Sequence, residues 1–335
     1  MSTSDDSLGE RLRAYFGIGY RTDDRIEQRL TELKRRKTIR RVGWLVGVVA
    51  FAYLFLSALE MVQFTIAEII YYWPEFKEAL GGFFPVTTYF GVPFLDFGQY
   101  QQFLANQTGP SIPKAALTTL AIGFAGTVLG VPGALLFGVL GSERVTPFPF
   151  NFIFRGTMST IRSIPALVWA LIYIPLGGLS PFTATLAIGT DTVGNLGRLF
   201  TDALEEVEDG PIEAIESTGA NRPQTITFGM LSQVFTPFIA WTMYILEINV
   251  RIAVTMGLIG AGGIGGILNT QRGLFNYTNM MATIIVIFVL VVSVEIISQR
   301  TRSYLRGDSN EEGIFKHLLR LVREFPQRMA ESMWR

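Results

Sequence analysis

The stretch VEDGPIEAIESTGANRPQTI, residues 207–226, is acidic and polar, yet apolar sequence flanks it on both sides. Its punctuation is specific. Pro211 follows Asp209 and Gly210, two candidate caps, and proline at a first helical position is pre-organised to start a helix. Gly219 stands where a residue in the left-handed region commonly closes a helix. Asn221 and Pro223 then start another helix, which runs into the next apolar segment. The spacing predicts a short helix between two stiff corners, outside the apolar body and shaped to pass on a push from a partner.

That body dominates the chain. Of 335 residues, 49% are hydrophobic and 17% charged, and the mean hydropathy is +0.35, too apolar for a soluble domain of this size. The expected fold is an all-α polytopic protein of the cell membrane. Apolar runs of about 20 residues, enough to cross about 30 Å of hydrocarbon, occupy 42–59, 115–142, 163–190, 226–246 and roughly 279–297. Gly177 to Pro181 reads as a turn, dividing the third run into spans around 158–176 and 181–200, so about six membrane helices are expected.

Lys34, Arg35, Arg36, Lys37, Arg40 and Arg41 precede the first span, and Arg300, Arg302 and Arg306 follow the last. Positive charge in short flanks marks the cytoplasmic side, which places both termini and 207–226 there. The 60–114 segment, with Glu60, Glu68, Glu75, Glu78 and Asp96 against Lys77 and Lys114, suits the outside. The run 252–271 is long enough to cross but carries Gly257, Gly260, Gly262, Gly263, Gly265 and Gly266. Irregular backbone at membrane depth is tolerated only when buried in protein or lining a cavity, so this run reads as a broken, buried segment near the outer side. The domain reading is a cytoplasmic segment at 1–41, a first span with an outer segment at 42–111, a transmembrane domain at 112–300 and a cytoplasmic tail at 301–335. The first forty residues lack the pattern of a secretory signal. The tail has an amphipathic pattern in Ile314, Phe315, Leu318, Leu319 and Val322, fitting a surface-lying or partner-packed helix.

Little catalytic chemistry is available. There are no cysteines and one histidine, His317, which removes disulfides, thiolate nucleophiles, the usual zinc clusters and histidine triads. Zero net charge points to no nucleic acid. GAGGIG at 260–265 matches a dinucleotide fingerprint in letters only, because the next acidic residue, Glu295, lies beside an apolar span and the fingerprint needs a soluble βαβ unit; small residues permitting close helix approach explain it better. No lysine follows a glycine, so the chain has no Walker A loop. Ionisable residues inside apolar runs are expensive and informative. Asp191 is one, with a structural and a path-lining role both open. Glu247 and Arg251, four apart in the favoured order, either line or gate a solute path, with Arg251 meeting an anion, or satisfy each other at the outer boundary.

EAIESTG with Leu231 resembles the EAA loop of membrane subunits of ATP-binding-cassette importers. Glu213, Ala214, Gly219 and Leu231 match; Ile215, Gly229 and Ser232 depart from the pattern. RSIPALVWALIYI from Arg162, YILEINVRIAVTMGLIGAGGIGGIL from Tyr244 and LFNYTNM from Leu274 resemble the phosphonate importer permease family, over roughly 112–300. The resemblance implies a type I importer subunit, pairing with a second copy, supplied by an extracytoplasmic binding protein and driven by a cytoplasmic ATPase dimer that holds the ATP and magnesium; the chain itself would hold no cofactor. It further implies that Glu213, Ala214, Ile215, Gly219, Ala220, Asn221 and Arg222 form the ATPase-coupling surface. Methionine importer permeases share GLIGAGG, which keeps that substrate open. A self-sufficient secondary carrier would be expected to show an internal repeat, and none is convincing; a membrane enzyme lacks the side chains. The orientation is checked with a single cysteine at Ser217, which an impermeant reagent added to intact cells should leave unlabelled; labelling from outside overturns it.

Overall fold

The computed structural model describes residues 20–89, 91–105 and 111–306, so the amphipathic tail pattern and His317 lie outside the described residues. One compact unit ends at Lys77. It holds α1 (Tyr20–Met61) and α2 (Ile66–Tyr71). In α1 the basic stretch and the first apolar run are one continuous helix, because no glycine pair or proline interrupts them.

The second unit begins at Glu78, inside α3 (Trp73–Phe83), and continues with β1 (Val86–Tyr89), β2 (Val92–Leu95) and α4 (Phe97–Ala105). The two strands pair antiparallel with Thr87 opposite Phe94, which corrects the all-α expectation. The reason is local: VTTY and VPFL are rich in β-branched and aromatic residues, and Gly91 supplies a positive φ of 84° in the turn between them. Tyr100 of α4 donates to the Phe83 carbonyl at 2.5 Å, and Thr278 donates to the Gly82 carbonyl at 2.8 Å. The hairpin is therefore anchored at its base.

The bundle follows as α5 (Ile112–Gly141), α6 (Phe150–Ser163), α7 (Ala166–Ile172), α8 (Ile174–Gly177), α9 (Pro181–Glu205), α10 (Asp209–Glu216), α11 (Arg222–Gln224), a π-helical stretch (Thr225–Leu231), α12 (Ser232–Met256), a kinked stretch (Gly257–Ala261), α13 (Gly263–Gly273) and α14 (Tyr277–Arg306). Among the described residues four stretches are long and apolar enough to cross a membrane: Thr31–Met61, Ile112–Gly141, Arg222–Ala261 and Tyr277–Leu305. They cover four of the six expected spans. The other two differ in form. The 158–176 segment is a broken rod, because Pro165 pushes Ile164 into extended backbone (φ −102°, ψ 114°) and ends α6. The 181–200 segment becomes the 25-residue α9, about 37 Å at 1.5 Å per residue, long enough to cross but carrying Asp191, Arg198 and Asp202. The 252–271 run is broken as expected, with φ of +110°, +84° and +71° at Gly260, Gly262 and Gly263.

Small residues decide how the bundle closes. Gly126 and Gly130 of α5 face Ile188 and Thr192 of α9, and Gly138 faces Phe200. A Cβ on Gly130 would stand 2.5 Å from the Thr192 Cβ and 2.7 Å from the Gly189 carbonyl oxygen, so the two helices meet backbone to side chain with no room to spare. Around this seam Ala134, Leu196, Phe200, Leu204, Val234 and Phe238 form a buried cluster, with the Phe200 and Phe238 rings stacked at 3.9 Å. Asn249 of α12 donates to the hydroxyls of both Thr127 and Thr192 at 2.8 Å. Those hydroxyls donate in turn to the carbonyls of Gly123 and Ile188, each at 2.7 Å, so the buried polar chain is satisfied and ties three helices at one level.

Gly130→Val is expected to lose about 1–3 kcal/mol through overpacking, read as a lower thermal unfolding midpoint in detergent. Gly156→Ala, where nothing lies within 4 Å, should match or slightly exceed the natural protein, since alanine favours helix.

Candidate functional site

The 207–226 stretch folds as a helix between two corners, with one correction at its start. The N-cap is Glu208, without a side-chain cap bond, so Asp209 and Gly210 lie inside the first turn rather than capping it. Asp209 is placed there because negative charge suits a helix N-terminus and because Arg144 reaches its carboxylate at 2.6 Å. Gly219 has φ +83°, with open space where a Cβ would stand, so backbone conformation rather than packing requires glycine. Asn221 caps α11 in a capping box, its side-chain oxygen accepting from the Gln224 amide at 3.1 Å while Gln224 Oε1 accepts from the Asn221 amide at 2.9 Å.

Ile212 turns into the protein and is 8% exposed, whereas Glu213, Ala214, Glu216, Asn221 and Arg222 are exposed. Ile215 and Ala220 are half-buried. Two departures from the EAA pattern meet here: a Cβ on Gly229 would lie 3.6 Å from the Ile215 Cδ1. A larger residue at 215 thus occupies the space that a smaller one at 229 leaves. The stretch is also braced from outside. Arg144 holds its start, and Arg222, near its end, donates to the Val145 carbonyl at 3.0 Å. Both contacts fall on the connection between α5 and α6, itself fixed by Arg155, which donates to the Gly141 carbonyl at 2.7 Å and pairs with Glu205. Arg222, expected on the coupling surface, therefore points part of its donor capacity back into its own chain.

The charged path candidates separate into two places. Asp191, 9% exposed, lines a cleft of about 370 Å³ with Arg162, Asn195, Arg198, Asp202 and Asn249. Four of these share one face of α9 at spacings of four, three and four. Arg162 reaches that face because Gly194 lets the end of α6 approach: a Cβ there would lie 3.1 Å from the Arg162 backbone nitrogen. Asn195 stands in the middle, its side-chain oxygen accepting from Arg162 Nε at 3.3 Å and its amide donating to the Asp191 main-chain oxygen at 3.1 Å. Arg198 is held by Asp202 at 2.9 Å.

Glu247 and Arg251 pair as their spacing predicts, but on the face of α12 turned to α14. Arg302 lies 3.7 Å from Glu247, and Glu295 lies 3.7 Å from Arg251. The positive charge of Arg251 is thus shared between two carboxylates. Two residues along a helix is about 200° of rotation, which is why Asn249 faces the seam while Glu247 faces α14. Sequence reasoning missed Arg162, Asn195, Arg198 and Asn249 as parts of a site; the spacing 191, 195, 198, 202 was the available signal.

A family model described as "binding-protein-dependent transport system inner membrane component" matches residues 130–306. The chain belongs to this family of importer permeases. The match takes in the cleft, the 207–226 stretch and the network on α14. Among relatives of this permease, the phosphite transport system permease protein PtxC of Stutzerimonas stutzeri is 30% identical over 194 residues, 58% of this chain and 70% of that one. The phosphate-import permease protein PhnE of Mycolicibacterium smegmatis is 32% identical over 198 residues, 59% of this chain, but the match spans only 37% of that longer relative. An inward-facing structure of the MetNI methionine ABC transporter shares the fold, with a TM-score of 0.53 at 21% identity, covering 58% of the permease here and 95% of the solved chain. The permease is a multi-pass membrane protein.

A single hydrogen bond contributes only about 0.5–1.5 kcal/mol net, and this one is exposed, so removing the brace with Arg222→Ala should leave the unfolding midpoint nearly unchanged while raising hydrogen exchange across 217–222. Unchanged exchange there would show that the contact to the Val145 carbonyl does not restrain the corner.

Proposed function

We propose that this permease is the translocation subunit of an ATP-driven importer for phosphite, a phosphonate or a related phosphorus oxyanion. Separate ATPase subunits drive it from the cytoplasm through α10, a second copy completes the path and an extracytoplasmic binding protein delivers the solute. The chain itself performs no catalysis in this reading. The observation that carries it is α10: a short exposed helix, followed by the fixed corner of Gly219 and the Asn221 capping box, in a stretch tied to the α5–α6 connection at Asp209 and again at Arg222. Such a helix is stiff enough to transmit a displacement. A load on Glu213 and Ala214 would pass through Asp209 and Arg144 to α5, and through 222–231 into α12, whose Asn249 sits on the seam. The phosphite and phosphate permeases among the relatives support the substrate class, and a charged cleft at the middle of α9 supports an ionic solute.

Deleting the gene is expected to abolish growth on phosphite or a phosphonate as sole phosphorus source while sparing growth on ample phosphate; lost methionine uptake with oxyanion uptake intact would reassign the substrate. In Gly219→Val, a β-branched residue forced to positive φ costs on the order of 1–3 kcal/mol or else redirects α10. That variant should insert in the membrane but recruit or stimulate its ATPase poorly, and Glu213→Ala should lose less. Purification through the ATPase, with hydrolysis measured in liposomes, separates these outcomes; wild-type recovery and stimulation in Gly219→Val would reduce the stretch to a connector.

A further inference from the structure

The α9 cleft has a charge arrangement that structural pairing does not account for. Arg198 and Asp202 neutralise each other on one helix. Arg162 forms no ion pair with any described carboxylate, and its contact in the cleft is the 3.3 Å bond to Asn195. Asp191 lies on the other side of that asparagine, whose amide donates to the Asp191 main-chain oxygen at 3.1 Å and also acts on its carboxyl. A guanidinium and a carboxyl group thus line one cavity with a neutral amide between them. The cavity, about 370 Å³, falls within the roughly 300–1,000 Å³ usual for small-molecule sites.

Depth makes the arrangement informative. Asp191, Gly194 and Asn195 sit at the midpoint of the 25-residue α9, level with Thr127 near the middle of α5. Arg162 is exposed there. An exposed charge at mid-height of a membrane bundle faces water or protein rather than lipid. Arg162 therefore opens onto an aqueous path or a neighbouring copy, with its planar donors available for the bidentate recognition of oxyanions that guanidinium favours.

The opposing carboxylate restricts which oxyanion fits. In its ionised form a carboxylate only accepts hydrogen bonds, so an anion that meets Asp191 in that form must bring the proton itself. A sulfate ion has acceptors alone and would set like charges together. A phosphorus oxyanion retains a P–OH in part near neutral pH, since even a phosphate monoester loses its second proton only at about pH 6 and an alkylphosphonate is more basic; it can accept from Arg162 and donate to Asp191 at once.

We infer that Arg162 and Asp191 form a selectivity pair in the path, taking a protonated phosphorus oxyanion between them and rejecting sulfate. The inference rests on the substrate class proposed above and adds the residues that would read it. The test uses the purified full chain with its co-purifying partners in nanodiscs, without the soluble binding protein, so that selectivity upstream is removed. Methylphosphonate and sulfate are titrated by equilibrium dialysis. The natural protein should bind methylphosphonate at least about tenfold more tightly than sulfate, and Arg162→Gln should weaken methylphosphonate binding at least about tenfold, with Arg162→Lys recovering part, as expected for a charged hydrogen bond. Asp191→Asn, which can both donate and accept, should bring the two anions to near parity. Absent binding, equal affinity for both anions in the natural protein, or an unchanged preference in Asp191→Asn overturns the pair, and so does wild-type affinity in Arg162→Gln. Should Arg162→Gln fail to reach the membrane, the Asp191→Asn preference decides alone. Phosphite uptake by whole cells separates the two levels: uptake by the natural protein with unaltered binding in both variants removes only the pair, whereas no uptake of any phosphorus oxyanion removes the substrate reading with it.

Discussion

Everything in the bundle is positioned by the close approach of α5 and α9. Gly126, Gly130 and Gly138 let the two helices approach until one backbone meets the other's side chains. In lipid, where burying apolar surface gains little, contact of this kind and buried hydrogen bonds are what hold helices together. Asn249 adds the second kind at the same level, so α12 is located by the same seam. The end of α6 is brought in by Gly194, a small residue of α9 itself. The cleft follows from these approaches, because it occupies the face of α9 turned away from α5.

The 207–226 stretch depends on the seam less directly. Arg155 fixes the end of α5 to α9 through Glu205, and Arg144 and the Val145 carbonyl, just beyond, hold the two ends of the α10 region. The packing of Ile212 and the facing pair Ile215 and Gly229 complete the joint. Each ion pair is partly exposed and individually weak, but they act on a backbone whose corners are already fixed by conformation. Direction comes from Gly219 and Asn221, and attachment comes from the arginines.

How much of this could be read from sequence depends on how local each cause was. Gly219, the Asn221 cap, the glycine-broken run and the Glu247–Arg251 pair are all determined by residues within a few positions, and the structure places them as expected. The start of α10 was misjudged because Arg144, 65 positions away, competes for Asp209. The hairpin at 86–95 is a short local exception in a chain dominated by apolar helical runs, and VTTY and VPFL carry its signal. The cleft needed two pieces of information that periodicity does not contain: that Gly194 admits Arg162, and that Asn249 and Glu247 face opposite ways. The spacing on α9 alone placed Asp191, Asn195, Arg198 and Asp202 on one face without saying what that face would meet.

The helix that carries Asn249 starts from π-helical backbone, Thr225–Leu231, and ends at Gly257–Ala261, where Gly260 at φ +110° leaves helical conformation. A π turn holds one residue more than an α turn, so the start keeps a spare unit of winding. Passing one such unit along turns a helix by about 100°, the angle between neighbouring residues viewed down the axis. The start of α12 is therefore a place where axial torque can be absorbed as winding number, and its glycine-broken end leaves the rod free of a continuous helix beyond.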